Sequence, residues 1–105
     1  MVEVKSLNAL IQYQEGSIVS KTLLKADGGS LTLFAFDKGQ ELSEHTTPYD
    51  AGIIVFDGEA EIFIDQKAYT VKSGEWIPLP ANRPHAVKAS KRFKMALAMI
   101  KSRQT

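Results

Sequence analysis

The sequence contains no cysteine, one tryptophan and only two histidines among its 105 residues. The absence of cysteine excludes disulfides, thiolate metal sites and a cysteine nucleophile. A formal net charge of +1 argues against nucleic acid as a partner, because a phosphate backbone attracts strongly basic proteins. The sequence has no apolar run of membrane-spanning length and its start does not look like a signal peptide. We therefore expect a cytoplasmic protein that does not bind a membrane.

What the sequence does contain is a series of short apolar runs separated by glycine, aspartate and proline. With 44% hydrophobic and 24% charged residues, it has the composition of a globular protein, and its length suits a single domain, 1–105. Apolar runs at this spacing predict an all-β sandwich or barrel over residues 17–101. Residues 1–16 would form an N-terminal extension with a short helix that Ser6 caps and Gly16 ends.

Two short stretches favour hairpin turns. Asp57-Gly58 lies between the apolar runs IIVF and EAEIFI, and this dipeptide is preferred in tight two-residue hairpins. The stretch KADGGSL is a second, looser hairpin candidate. The basic residues from 88 to 105 are interpreted as a solvated edge strand whose lysines discourage aggregation.

Two of the predicted strands are apolar on both faces. In SLTLFAF, Leu31 and Leu33 point to one side, whereas Phe34 and Phe36 point to the other. The run AGIIVF has the same pattern, and strands of this kind are covered on both faces. The core of a small barrel covers only the inner face. The outer face then needs a second sheet or another subunit, and from this we infer a homodimer.

The two histidines, His45 and His85, lie forty residues apart and can meet only through the fold. The stretches around them, GQELSEHTTPYDAGIIVFDG and GEWIPLPANRPHAVKA, resemble the two signature motifs of the cupin superfamily. The matching positions are Gly39, His45 and Gly58 in the first motif and Gly74, Pro80 and His85 in the second. The resemblance extends from about residue 17 to residue 101. It implies a small single-domain cupin, a jelly-roll barrel with its site inside, of a kind that often dimerises.

The resemblance also implies where metal ligands would stand. In cupins that bind a metal, the first motif supplies two histidines and a carboxylate, and the second motif supplies one histidine. Here Thr47 stands at the position of the second histidine and Ala51 at that of the glutamate, so two of the four ligands are missing. In the second motif, Asn82 replaces the usual glycine and Ala89 the terminal asparagine.

The missing ligands argue against a tight metal site. Stable sites without thiolates usually have three protein ligands, and here only His45 and His85 remain. Asp50 is the nearest candidate for a third ligand. On a regular strand it would point out of the barrel, but the preceding Pro48-Tyr49 could make the backbone irregular and turn it inward. A metal held there would be iron, manganese, nickel or zinc.

We expect the mouth of the barrel to collect five ligand-binding residues: His45, Thr47, Tyr49, Asp50 and His85. Weaker candidates are Trp76 and Met99 for the wall and Arg83 for an anion. Three functions remain open, and the sequence does not decide whether the protein is an enzyme. The first is a module that binds or senses a small organic molecule. The second is a metal-dependent oxygenase or isomerase that uses the two histidines and Asp50. The third is a metal-free enzyme with a histidine as general acid or base.

Overall fold

The structure, a computed structural model, describes residues 2–101, which contain one short helix and eight strands. In chain order the elements are α1 Leu7–Leu10, β1 Ile18–Ala26, β2 Gly29–Phe36, β3 Glu41–His45, β4 Asp50–Ile64, β5 Lys67–Lys72, β6 Trp76–Leu79, β7 His85–Lys88 and β8 Phe93–Ile100. This confirms the predicted all-β fold with a short N-terminal helix. Within residues 2–101, no helix has the length and apolarity needed to cross a membrane. The assignment of residues 1–105 to a single domain stays a prediction.

The strands form an antiparallel sheet that curls into a jelly-roll barrel. The front sheet has the order β1-β2-β8-β4-β6, and the back sheet has the order β3-β7-β4-β5. The strand β4 is 15 residues long and belongs to both sheets. Its residues 50–58 pair with β8 in the front sheet, and its residues 59–64 pair with β5 in the back sheet.

The hairpin predicted at Asp57-Gly58 is wrong, because both residues lie inside β4. Gly58 has φ of 71° and follows a bulge in the pairing with β8, at the point where β4 leaves the front sheet. A Cβ atom on Gly58 would collide with the carbonyl oxygen of Arg92, so only glycine fits there. The tight hairpin instead joins β4 to β5 at Asp65-Gln66, where φ is 51° and 69°. Positive φ at both central residues is the type I′ geometry that strand twist favours.

The second hairpin prediction is confirmed, since Ala26 pairs with Gly29 across the turn that joins β1 to β2. The edge-strand interpretation of the basic stretch is wrong. The strand β8 lies between β2 and β4, and its Lys94 is only 5% exposed. The ammonium group of Lys94 is accommodated because it donates to the backbone oxygen of Asn8 at 3.0 Å. The sequence alone does not distinguish a buried lysine with such a partner from a lysine on the surface.

The N-terminal helix is shorter than predicted. Ser6 precedes it without a side-chain capping bond, and the chain is already extended at Ile11, with φ of −146°. Gly16, with φ of 69°, belongs to a turn that follows the extended segment. The helix ends early because Ile11 is buried against Leu33 and other residues of the outer face of the front sheet.

Two apolar clusters lie on the two sides of the front sheet. The inner cluster fills the barrel, and in it the rings of Phe36 and Phe93 stack with centroids 4.5 Å apart. The outer cluster joins Ile11 to residues of β2 and β8 and includes Tyr13 at its rim. The chain's own residues 10–13 therefore cover part of the outer face that the sequence predicted to be apolar. The rest remains open, with Leu24, Ile54, Trp76 and Ile100 exposed by 68%, 45%, 64% and 58%.

Candidate functional site

The fold brings the two histidines into contact. His45 is the last residue of β3 and His85 the first of β7, and the two are direct partners in the pairing of these strands. Their ring centroids lie 4.4 Å apart at an interplanar angle of 66°. His85 is 8% exposed and alternates onto the same face as the buried Val87, whereas His45 is exposed. The pair therefore extends from the barrel interior to its mouth.

Hydrogen bonds to the backbone fix the tautomer of both rings. The Nδ1 atom of His45 lies 2.9 Å from the carbonyl oxygen of Ser43, and that of His85 lies 3.3 Å from the carbonyl oxygen of Arg83. A carbonyl oxygen can only accept a hydrogen bond, so each Nδ1 carries the proton. In the neutral rings, both Nε2 atoms are then left as acceptors.

Burial keeps the inner ring neutral. Removal from water lowers the pKa of His85 below its usual value, and the charge of His45 lowers it further. The hydrogen bond to the carbonyl of Arg83 acts in the opposite direction and is the second largest effect. At neutral pH, His85 therefore presents an unprotonated Nε2 inside the barrel.

Thr47 and Tyr49 belong to the loop between β3 and β4. The hydroxyl of Thr47 donates to the backbone oxygen of Tyr49 at 3.1 Å and accepts from its N–H at 3.3 Å. The backbone oxygen of Thr47 accepts from the N–H of Asn82 at 2.7 Å and so ties this loop to the one before β7. The ring of Tyr49 lies 5.9 Å from Nζ of Lys101. The hydroxyl of Thr47 thus forms its hydrogen bonds within its own loop and not with the histidines.

The side chain of Asp50 also stabilises a loop. It begins β4 opposite Ile100, and by alternation it shares the outer face with Ile54. Its Oδ1 atom accepts from the N–H of Ala81 at 2.9 Å. The strand is regular from Asp50 onward, so the irregular backbone that would turn this carboxylate inward is not present.

The donor set around the histidines does not fit a stable metal centre. Among residues 2–101, no three His, Asp or Glu side chains are arranged to hold a metal ion. Two imidazoles alone leave a divalent ion without the third protein ligand that such sites usually require. We therefore assign no metal-dependent step to this site.

A cavity of about 630 Å³ lies beside the histidine pair, between β5 and β6. Ile64 lines it and is also the partner of His85 in the pairing of β4 with β7, so cavity and histidines share a wall. Trp76, a weaker candidate for a wall, lines this cavity, and so does Arg83. Met99, the other weaker candidate for a wall, pairs with Ala51 and by alternation shares the inner face of β8 with Met95. Sequence reasoning missed the cavity because it depends on which strand edges stay unpaired.

Together, the barrel and the histidine pair at its mouth define a cupin. Residues 32–100 match the Cupin domain family, and the chain belongs to it. The crystal structure of a conserved protein of unknown function from Streptococcus pyogenes is similar to this one, with a TM-score of 0.93 over 99% of this chain and 91% of that chain. The sequence identity is 36%. A cupin 2 conserved barrel domain protein from Leptotrichia buccalis is 44% identical, with a TM-score of 0.87 over 90% of this chain and 46% of that chain. An uncharacterised protein from Aquifex aeolicus (strain VF5) is 22% identical over 100 residues, which are 93% of this chain and 83% of that protein.

Proposed function

We propose that this cupin binds a small organic molecule at the mouth of its barrel, with His45 and His85 as hydrogen-bond acceptors and without a tightly held metal. One observation carries the proposal. Both Nδ1 atoms are engaged by backbone carbonyls, and both Nε2 atoms are left as acceptors on rings that touch each other. A ligand that satisfies them must offer hydrogen-bond donors.

The chemistry of the pair favours a ligand with hydroxyl or amine protons, such as a small polyol, sugar or hydroxy acid. Protonation turns each Nε2 from an acceptor into a donor. Burial lowers the pKa of His85, so we expect the ligand to be released only in acid below the usual titration range of histidine. The cytoplasmic location inferred from the sequence is carried as part of this proposal.

The competing proposal is a metal-dependent oxygenase or isomerase. It requires a carboxylate beside the two imidazoles, as in the two-histidine, one-carboxylate sites of iron enzymes. Asp50 would have to supply that carboxylate, but its Oδ1 accepts from the backbone of Ala81. The binding module is therefore preferred.

Metal analysis and ligand screening of the protein, purified without a histidine tag, would separate the two functions. We expect less than about 0.1 metal ion per chain and saturation-transfer signals from members of a panel of polyols, sugars and hydroxy acids. Binding should be lost in His45→Ala and in His85→Ala and retained in Glu44→Gln, which changes an exposed neighbour of His45. One metal ion per chain, lost in both histidine variants, would instead support the metalloenzyme.

We also infer a homodimer that packs through the open part of the outer face. Exposed apolar side chains lie there on the front sheet, namely Leu24, Ile54, Trp76 and Ile100, and the ring of Trp76 lies over Gly52. Sheets of two subunits can pack face to face over such a surface. Sedimentation equilibrium should give twice the chain mass for the natural protein and the chain mass for Leu24→Glu. A monomer at all concentrations up to about 100 μM would contradict this inference.

A further inference from the structure

We propose that Asp65 is a positioning residue of the histidine pair, which holds the loop before β7 so that the carbonyl of Arg83 keeps the proton of His85 on Nδ1. Asp65 would thereby decide which nitrogen of the inner ring a ligand meets. The inference deepens the function proposed above and rests on it, because it explains what keeps Nε2 of His85 an acceptor.

The loop that joins β6 to β7 is held along its whole length. It consists of residues 80–84 and ends directly before His85. Two hydrogen bonds described above hold its first half, through the N–H groups of Ala81 and Asn82. The second half carries the carbonyl that the ring of His85 contacts, and this half is held by Asp65.

Asp65 contacts the second half of the loop through its backbone and through its side chain. Its N–H donates to the backbone oxygen of Pro84 at 2.9 Å. Its carboxylate accepts from Nε of Arg83 at 2.5 Å, and a terminal nitrogen of the same guanidinium also contacts it. Two nitrogens of one planar group on one carboxylate restrict the direction of the contact as well as its distance. Arg83 is therefore fixed at its side chain and at the peptide that follows it.

The turn between β4 and β5 places Asp65 beside this loop. Asp65 directly follows Ile64, which is the partner of His85 in the pairing of β4 with β7. Its φ of 51° lies in the left-handed region, which aspartate and asparagine adopt more readily than most residues. The position in the turn thus brings the N–H and the carboxylate of one residue to the same loop.

The carbonyl of Arg83 links the loop to the ring. Its oxygen lies 3.3 Å from Nδ1 of His85 and accepts the proton of that nitrogen. Pro84 follows Arg83 and restricts its backbone to extended conformations, which limits the directions that this carbonyl can take. The hydrogen bond of one ring nitrogen sets which nitrogen of a histidine carries the proton. If Arg83 is released, part of the His85 rings should therefore carry the proton on Nε2 and lose the free acceptor.

The tautomer of His85 in Asp65→Asn tests this role directly. Asparagine has a similar size and also adopts positive φ, so the turn is retained and the charge is removed. Long-range ¹H–¹⁵N spectra at pH 7.5 report the tautomer, and comparison with His45→Ala identifies the signals of His85. We expect about a fifth or more of the neutral His85 rings to carry the proton on Nε2 in Asp65→Asn, against less than about a twentieth in the natural protein.

Glu59→Gln is the matched control. Glu59 lies on β4, its side chain is 39% exposed against 43% for Asp65, and it forms an ion pair with Lys91 at 3.9 Å. Exposed ion pairs contribute little to stability, so the two variants should have similar urea midpoints. Only Asp65→Asn should change the tautomer of His85. An unchanged tautomer in Asp65→Asn, or an equal change in Glu59→Gln, would overturn the proposal.

Arg83→Gln separates positioning from a direct effect of charge. The hydrogen bond to the carbonyl of Arg83 raises the pKa of His85, so its loss should lower this pKa in Arg83→Gln and in Asp65→Asn alike. Charge alone would shift the pKa in opposite directions, because loss of a nearby cation raises it and loss of a nearby anion lowers it. The same spectra, recorded against pH, measure the shift. A raised pKa of His85 in Arg83→Gln would overturn the positioning role.

The spectra of the natural protein distinguish a failure of this inference from a failure of the function on which it rests. A proton on Nε2 of His85 in the natural protein would contradict the proposed pair of acceptors and the role of Asp65 with it. A proton on Nδ1 in the natural protein and equally in Asp65→Asn would leave the pair of acceptors in place and overturn only the role of Asp65.

Discussion

This small barrel contains two groups of polar side chains that differ in whether the chain itself satisfies their hydrogen-bonding groups. In the first, the Tyr13 cluster, the phenol of Tyr13 donates to Asp57 at 2.5 Å, and Arg92 and Lys94 lie 5.0 Å from the ring centre. Arg92 in turn donates to Asp37 at 2.7 Å. Every charge has a partner in the chain. In the second group, the two histidines, each ring keeps one nitrogen that its backbone hydrogen bond does not use.

The polar groups of the Tyr13 cluster stabilise the fold, whereas those of the histidines remain available for the ligand that we propose. The Tyr13 cluster attaches the N-terminal segment to the outer face, as Gly16 also does by donating to Asp37 at 2.6 Å. Burial and Asp57 raise the pKa of Tyr13, which keeps the phenol a donor. The hydrogen bonds of the two histidine rings reach only carbonyls two residues earlier in the chain. Loss of the rings should therefore affect binding far more than stability. The following predictions test this contrast.

The largest expected effect is that of Gly58→Ala, next to Asp57. The new Cβ would meet the carbonyl of Arg92 in a backbone conformation that alanine rarely adopts. Left-handed strain and overpacking together should reduce the free energy of unfolding by about 3 kcal/mol. Gly39→Ala also has positive φ but open space around it, so it should lose only about 1 kcal/mol. Urea unfolding of both variants measures the difference, and equal losses would contradict the steric account.

Tyr13→Phe removes only the hydroxyl that Asp57 accepts. We expect unfolding to become easier by about 1–2 kcal/mol, because a part-buried carboxylate loses its donor. Hydrogen exchange of residues 8–13 should accelerate, while ligand binding at the histidines stays unchanged. His45→Ala should show the reverse, with a loss below about 0.5 kcal/mol, as is usual for exposed positions. A larger loss in His45→Ala than in Tyr13→Phe would contradict the contrast.

Acid should affect the two groups in separate pH ranges. The pKa of His85 is lowered in the folded state, so the unfolded chain binds this proton first, and the stabilisation is lost as pH falls below about 6.5. The hydrogen bonds from Arg92 and Gly16 hold the pKa of Asp37 at about 2. Its contribution is therefore present above about pH 4 and lost between about 4 and 2. Urea unfolding from pH 8 to 2 should show the upper step vanish in His85→Phe and the lower step shrink in Asp37→Asn.

Asp50→Ala should have a small effect on stability and none on metal affinity. Losing the hydrogen bond to Ala81 at this exposed site should lower the free energy of unfolding by less than about 1 kcal/mol. Affinity for added Zn(II) or Ni(II), measured by calorimetry, should not change. A large loss of metal affinity without a loss of stability would show that Asp50 reaches the histidines.

The sequence predicted the features that depend on local pattern and on the family motifs. The barrel, the β1–β2 hairpin and the approach of His45 to His85 followed from these signals. The features that depend on contacts between residues far apart in the sequence could not be predicted from these signals. Gly58 looks like a turn glycine in sequence, and Lys94 looks like a surface lysine, until their neighbours in β8 and the N-terminal segment are known.

The state of the two histidine rings tests the central claim most directly. Long-range ¹H–¹⁵N spectra of the untagged protein at pH 7.5 contain signals from only two histidines, and the test needs no assignment between them because the same state is predicted for both rings. We predict a protonated Nδ1 and an unprotonated Nε2 in both rings, with spectra that do not change on addition of EDTA. A protonated Nε2 in either ring, or Nε2 shifts that EDTA abolishes, would contradict the proposed pair of free acceptors.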